Sequence, residues 1–432
     1  MRSKAFFIIM AALALLAAFA LVVAVQNPEI RTKIANYGSD ESTEEINAKA
    51  AERMAKMAEQ GAASAQYLLG ESYFHGKGVK QDYAEGIKWF KKAAAQGNEK
   101  AQNALGNCYS YGIGVPKDLA EAVKWYKMAA ERGMPEAQNN LGVCYYSGIG
   151  VAQDYGEAEK WCKKAADQGL SAAQNNIGDI YFSAKKYTEA VNCYKLAAEQ
   201  GLAKAQTNLG NCYYLGFGAA QDYAEAVKWY RKAAEQGDAD AQNHLANCYI
   251  DGQGVAKNEK EAIKWCRKAA EQGCAEAQNH LGNCYYFGFG LAQDYAEAVK
   301  WLRKAAEQGR AEAQYDLGIC YDSGNGVDEN AAEAVKWYRK AAEQGYAEAQ
   351  YALGNCCYSG SGVEQNDAEA VKLYKKAAEQ GHAEAQYELA KCFCSGKGVK
   401  IDLAEAGKWF RKAAEQGHEK AQKAAENFIG GR

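Results

Sequence analysis

The chain has 432 residues, with 51 Lys/Arg against 54 Asp/Glu and a formal net charge of −3. That length is too great for one ordinary hydrophobic core. Only three prolines and no long Gly/Ser linker interrupt it, which suits one elongated, repetitive body. The near balance of charge, with no basic stripe, argues against a nucleic-acid partner.

Arg2 and Lys4 precede 21 uncharged, mostly apolar residues, Ala5 to Val25. Such a run is long enough to span a bilayer as a helix, and exceeds the usual apolar core of a signal peptide. Residues 1–25 are therefore expected to form a transmembrane signal-anchor. The alternative is a signal peptide, with Ala18-Phe19-Ala20 as its cleavage site. Arg31 and Lys33 compete with Arg2 and Lys4 in setting orientation. The expected location of the body is outside the cytoplasm, periplasmic or extracellular, or secreted after cleavage. No Cys follows the apolar run, so a lipoprotein anchor is not supported. Residues 26–41 read as a polar linker, and 42–61 as an N-terminal capping helix opened by Ser42 and Glu45.

From there a closing Gly recurs at 61, 97, 133, 169, 201, 237, 273, 309, 345, 381 and 417. Every step is 36 residues except 169 to 201, which is 32. Residues 62–417 thus hold ten repeats, with unit 170–201 shortened by four residues. Strict periodicity of this kind marks a solenoid. In residues 134–169, Ala137, Leu141, Cys144 and Tyr145 share one face of a first helix. Gly142 lies beside that face, where it permits close approach of a second helix. Gly148 and Gly150 then allow a tight loop. Asp154 and Glu157 form a capping box that opens the second helix, and the box recurs from Asp82/Glu85 to Asp402/Glu405. Ala158, Trp161, Cys162 and Ala165 form its buried face, and Gly169 ends it. Residues 418–432 read as a C-terminal capping helix.

The pattern A-E-A-Q-x-x-L-G-x-x-Y, G-x-G-V-x-x-D, A-E-A-x-K-W-Y-x-K-A-A-E-Q-G resembles the Sel1-like repeat family across about residues 62–417. The resemblance implies an all-α fold. It would be a right-handed α/α superhelical solenoid of helix-turn-helix repeats, related to tetratricopeptide repeats. It also implies a protein-protein interaction scaffold or adaptor, as in bacterial signalling and host contact. In the short unit, Ile177, Gly178, Tyr181, Ala190, Tyr194 and Ala197 keep a spacing similar to that of tetratricopeptide helices. Only the G-x-G loop is lost, replaced by Ser183-Ala184-Lys185-Lys186. A local change in surface or curvature is expected there, not a domain boundary.

Eight of the fourteen cysteines, from Cys108 to Cys392, share one repeat position. Stacked helices lie farther apart than a disulfide can bridge, so these read as small core residues. The paired cysteines of the family's secreted, disulfide-stapled branch are missing. No C-x-x-C, H-E-x-x-H or P-loop occurs, so no metal and no cofactor is expected. Some family members carry a β-lactamase-like label, and Ser183–Lys186 reads S-x-x-K. The companion motifs are missing, so catalysis, as a β-lactamase-like or cell-wall hydrolase, is the weakest reading. His244 and His280 share a repeat position and read as exposed filler.

The stronger candidate is a surface that binds a protein or peptide partner. On a helical wheel, two Asn positions fall opposite the core of the first helix. They are Asn103, Asn139, Asn175, Asn243 and Asn279, and Asn107, Asn211, Asn247, Asn283 and Asn355. Tyr146, Tyr214, Tyr286 and Tyr358 stand beside them, and Tyr315, Tyr351 and Tyr387 replace the first Asn in the last repeats. In this architecture that face lines the inner, concave wall. An Asn amide both donates to and accepts from a peptide backbone, and Tyr adds contact area with a polar tip. The competing account is a neutral, soluble residue copied by repeat duplication. No small-molecule substrate is expected.

Overall fold

The structure is a computed structural model that describes residues 40–430. The expected membrane span at residues 5–25 lies outside the described residues, as does most of the linker. Among the described residues there are 22 helices, no strand, and no helix long and apolar enough to cross a membrane. The chain divides into two compact units, residues 1–186 and 187–432. Each is built from repeated helix pairs stacked as a solenoid.

The repeat centred on residue 150 shows why. Its helices are Pro135–Ser147 and Tyr155–Asp167. Ala137 and Leu141 are fully buried, as are Ala158, Cys162 and Ala165 across from them. Gly142 sits where the helices touch. A Cβ there would lie 2.4 Å from Cys162 Sγ, so only glycine permits this approach. Burying one Leu in such a seam contributes roughly 1.5–3 kcal/mol. The loop carries a second requirement. Gly150, at φ +71°, packs against the Leu119 carbonyl of the preceding repeat, 2.2 Å from where a Cβ would stand. The loop thereby braces one repeat to the one before it.

The expected capping boxes form by half. Asp82 Oδ1 accepts from Glu85 N–H at 2.9 Å, and Asp118, Asp222, Asp294 and Asp402 repeat the bond. The glutamates do not reach back. The Asp82 N–H already donates to the Tyr73 carbonyl at 2.9 Å, so no donor is left for Glu85. Glu85 pairs with Lys88 instead, at 2.7 Å. The N-terminal helix runs Asp40–Glu59, so Ser42 lies inside it and is not its N-cap. The C-terminal helix, Glu419–Gly430, is capped by His418 Nδ1, which accepts from Ala421 N–H at 3.1 Å.

A glutamine chain, unread in the sequence, ties the repeats together. Gln138 is buried; its Nε2 donates to the Ala130 carbonyl at 3.1 Å, and its Oε1 accepts from Gln168 Nε2 at 2.8 Å. Gln242, Gln278, Gln314 and Gln350 repeat both bonds. These are the glutamines of A-E-A-Q and E-Q-G. All fourteen cysteines are free, and the eight at the shared position are buried.

The shortened unit retains both of its helices. Its helices, Ser171–Ser183 and Tyr187–Glu199, keep their buried faces, with Ile177, Ala190 and Tyr194 nearly inaccessible. Yet the division between the two compact units falls in this connection, after Lys186. The G-x-G brace is missing from this connection. Without a G-x-G loop, Tyr155 stays 56% exposed. A cleft of about 350 Å³, lined by Tyr155, Glu159, Ile180 and Ser183, occupies the place of the loop. Glu159 stands where the neighbouring repeats have Ile87 and Val123. Lys185 is the one non-glycine with positive φ, at 60°, among the described residues.

Candidate interaction site

The wheel that placed the Asn stripe opposite the core needs correction, because a stacked helix has a second neighbour. Asn175, Asn243 and Asn279 are buried, not exposed. Asn103 Oδ1 accepts from Asn140 Nδ2 at 3.1 Å, and Asn139 Oδ1 from Asn176 Nδ2 at 2.8 Å. Much of this Asn row is spent on the next repeat.

The second Asn row splits in two. Asn107, Asn211 and Asn355 each accept a hydrogen bond at 2.8 Å from a buried tyrosine hydroxyl nineteen residues on, that of Tyr126, Tyr230 or Tyr374. Asn247 and Asn283 have no such partner, because Cys266 and Leu302 fill the tyrosine position. Their amides turn elsewhere. Asn247 Nδ2 donates to Glu276 at 3.5 Å, and Asn283 Nδ2 to Asp316 Oδ2 at 2.9 Å.

The stripe tyrosines are half-buried. Tyr146 bonds Ser183 Oγ at 2.7 Å, Tyr214 donates to Gln253 Oε1, and Tyr286 accepts from Asn325 Nδ2 at 2.9 Å. Lys397 Nζ lies 3.6 Å from the centre of the Tyr358 ring. Tyr315, Tyr351 and Tyr387 pack against Tyr338, Tyr374 and Phe410.

Of the predicted residues, Tyr214, Asn247 and Asn283 come together in the second unit. They line a cleft of about 610 Å³ with Ile250, Asp251, Glu276, His280, Phe287 and Phe289. Phe287 is 73% exposed and Phe289 44%. Exposed aromatic rings beside a cleft are a mark of interaction surfaces. In the first unit, Asn103, Asn107 and Asn139 line a second cleft of about 580 Å³, with Phe74, Tyr111 and Glu136.

Sequence reasoning missed the phenylalanines, Asp251 and Glu276. Two signals were available. Phe217 and Phe289 take the middle of a G-x-G loop that elsewhere carries Lys, Ile, Gln, Asn or Ser. The missing tyrosines at 266 and 302 mark the repeats whose Asn is released.

The electrostatics follow from burial. Burial works to raise the Glu276 carboxyl, but the Asn243 amide, His280 and Arg310 outweigh it and hold the group below its usual range. Burial depresses His280 and also His244, whose ring lies 5.1 Å from that of Tyr230. Neither histidine is exposed filler. Burial lifts Asp316 to about 6, against the opposing bond from Asn283. Burial also pushes the Cys284 thiol up to about 11, which makes it a poor nucleophile.

The S-x-x-K stretch does not assemble a catalytic pair. Ser183 Oγ is held by Tyr146 and donates to the Asp179 carbonyl at 2.9 Å, while Lys186 Nζ lies over the Tyr181 ring. Among the described residues no group of His, Cys, Asp and Glu could hold a metal ion.

A Sel1 repeat model matches ten segments: 63–98, 99–134, 135–170, 171–202, 203–238, 239–274, 275–309, 311–346, 347–382 and 383–418. Among solved structures, c5321, a protective antigen of uropathogenic Escherichia coli with an SLR fold, is 36% identical. The match covers 88% of this chain and 91% of that one, with a TM-score of 0.48. A Sel1 repeat protein from Oxalobacter formigenes is also 36% identical, over 56% of this chain and 96% of that one, with a TM-score of 0.52. Comparison with curated proteins gives no match. The fold is a repeat scaffold of the kind typical of protein-protein interaction, and the chain belongs to the Sel1 repeat family.

Proposed function

We propose that this protein is a non-catalytic adaptor that binds an extended segment of a partner protein on the face of its first helices. The cleft from Tyr214 to Phe289 is the principal seat. The observation that carries this reading is the pair of exposed rings, Phe287 and Phe289, beside a cleft whose Asn247 and Asn283 are released from the structural tyrosine bond. An apolar side chain of the partner would pack on the rings, and its backbone would bond the amides. The apolar run at 5–25 supports display of the body outside the cytoplasm on a membrane anchor. A secreted form arises if that run is cleaved, and the intact mass of the mature protein separates the two.

The test uses the full chain as bait against native extract, beside Phe287→Ser/Phe289→Ser and Asn355→Ala. A protein retained by the native chain and by Asn355→Ala, and lost from the double variant, supports the reading. Equal retention by all three baits moves the site elsewhere.

A further inference from the structure

The polar groups around the cleft differ in what they still offer. The Asn247 and Asn283 amides have spent donors on Glu276 and Asp316, which leaves their Oδ1 atoms as acceptors. Tyr214 donates its hydroxyl proton to Gln253, so its oxygen too is left to accept. Asp251 is exposed and makes no hydrogen bond or ion pair among the described residues. It is the last residue of helix Ala239–Asp251, where the helix dipole disfavours an anion. No other first helix ends in an acid. Folding gains nothing from Asp251, and a cation placed beside it would gain.

Glu276 has one nearby cation, Arg310, at 3.7 Å, and that cation also faces Glu312 at 3.3 Å. Burial depresses His280, which lessens the positive charge it brings to Glu276. The rim is therefore acidic and rich in acceptors, and its floor is apolar. The exposed faces of Phe287 and Phe289 also attract a guanidinium.

We infer that the cleft selects a partner segment in which a basic side chain, arginine above all, adjoins a large apolar one. Arginine supplies several donors in a planar fork and stacks on aromatic rings, which matches this combination of groups. The inference rests on the adaptor reading and names its ligand class. Asp251 and Glu276 receive the guanidinium, and Ile250 and Phe289 receive the apolar neighbour.

The test pans a phage-displayed library of random 12-residue peptides on the full chain. Enriched peptides are then synthesised and titrated against the native chain, Asp251→Asn, Asp251→Asn/Glu276→Gln and Phe287→Ser/Phe289→Ser. Asp251, Phe287 and Phe289 are exposed, so their variants should fold; circular dichroism checks each one. The expected result is enrichment of Arg or Lys beside Leu, Ile, Phe, Tyr or Trp. Binding should weaken several-fold with Asp251→Asn, tenfold or more with either double variant, and further as salt is raised. Peptides that need Phe287 and Phe289 but carry no basic residue, or that ignore both acidic changes, overturn the inference and leave the adaptor reading standing. No enriched peptide, or only peptides indifferent to the phenylalanines, overturns both.

Discussion

Replacing Arg132 by Gln should stabilise the first unit. Gln102 is fully buried, and its Nε2 donates to the Ala94 carbonyl at 3.2 Å. Its Oε1 has no partner. In eight other repeats the corresponding oxygen accepts from the Gln that precedes the closing Gly, at 2.7 or 2.8 Å. Here that stretch reads Glu131-Arg132-Gly133, and the guanidinium lies against Gly97 instead. Supplying the absent donor forms one neutral hydrogen bond and relieves an enclosed acceptor, worth about 1 kcal/mol after the rotamer entropy of ordering the new side chain. A solenoid does not unfold in two states, so a local readout is needed. Native-state hydrogen exchange of the amides in 99–111 and 119–131 should slow about fivefold. The decisive measurement adds Gln102→Ala in both backgrounds. A coupling energy near 1 kcal/mol is expected, and additivity within about 0.3 kcal/mol would refute the reasoning.

Asn355→Ala strands the buried Tyr374 hydroxyl and should cost about 1–3 kcal/mol in native-state hydrogen exchange of its own repeat, whereas Asn247→Ala should stay within about 0.5 kcal/mol. For Asp316 the folded pKa, about 6, lies above its ordinary value of 3.8, so the native state binds the extra proton between those values and stability falls as pH rises through that window. Asp316→Asn should therefore match the native chain near pH 4 and exceed it at pH 7, by an amount on the order of 1–3 kcal/mol, read from local hydrogen-exchange protection corrected for intrinsic rates across that range. Lys185→Gly removes a left-handed non-glycine residue and should raise local stability by about 0.5 kcal/mol, seen as slower proteolysis of the 183–187 connection. Leu302→Tyr, facing Gly282 as Tyr230 faces Gly210, should draw Asn283 onto its new hydroxyl and weaken binding at the cleft without loss of stability; unchanged affinity in peptide titrations would contradict the role given to Asn283.

The repeat, its helix boundaries and its N-caps were legible because each depends on residues a few positions apart. Asp82 and Glu85 show this, and even there the half of the box that failed did so for a nonlocal reason, the Tyr73 carbonyl. The Asn stripe misled for the same cause. A helical wheel for one helix knows the core of its own pair and not the helix of the next repeat, so Asn139 looked exposed while Asn176 was to bond it. His280 was misread too, since it is buried enough to be depressed below the ordinary range of a histidine. The loss of the loop at 184–186 was plain in the sequence. What such a loop does was not, because nothing in the sequence says that Gly150 rests on the Leu119 carbonyl and braces one repeat to the last.

Repetition itself supplies the means to separate structure from function here. A residue that recurs together with its partner is accounted for by the fold, as Asn107, Asn211 and Asn355 recur with Tyr126, Tyr230 and Tyr374. A residue that stays after its partner has gone needs another account. Asn247 and Asn283 remain while Cys266 and Leu302 have replaced the tyrosines. The same two repeats hold Asp251 at a helix end that disfavours it and Phe287 in water. Each of these departures costs stability or leaves it unchanged, and all of them border one cleft. Drift by duplication would scatter such changes along ten repeats. Their convergence is the physical argument for the binding role proposed for this stretch of the solenoid.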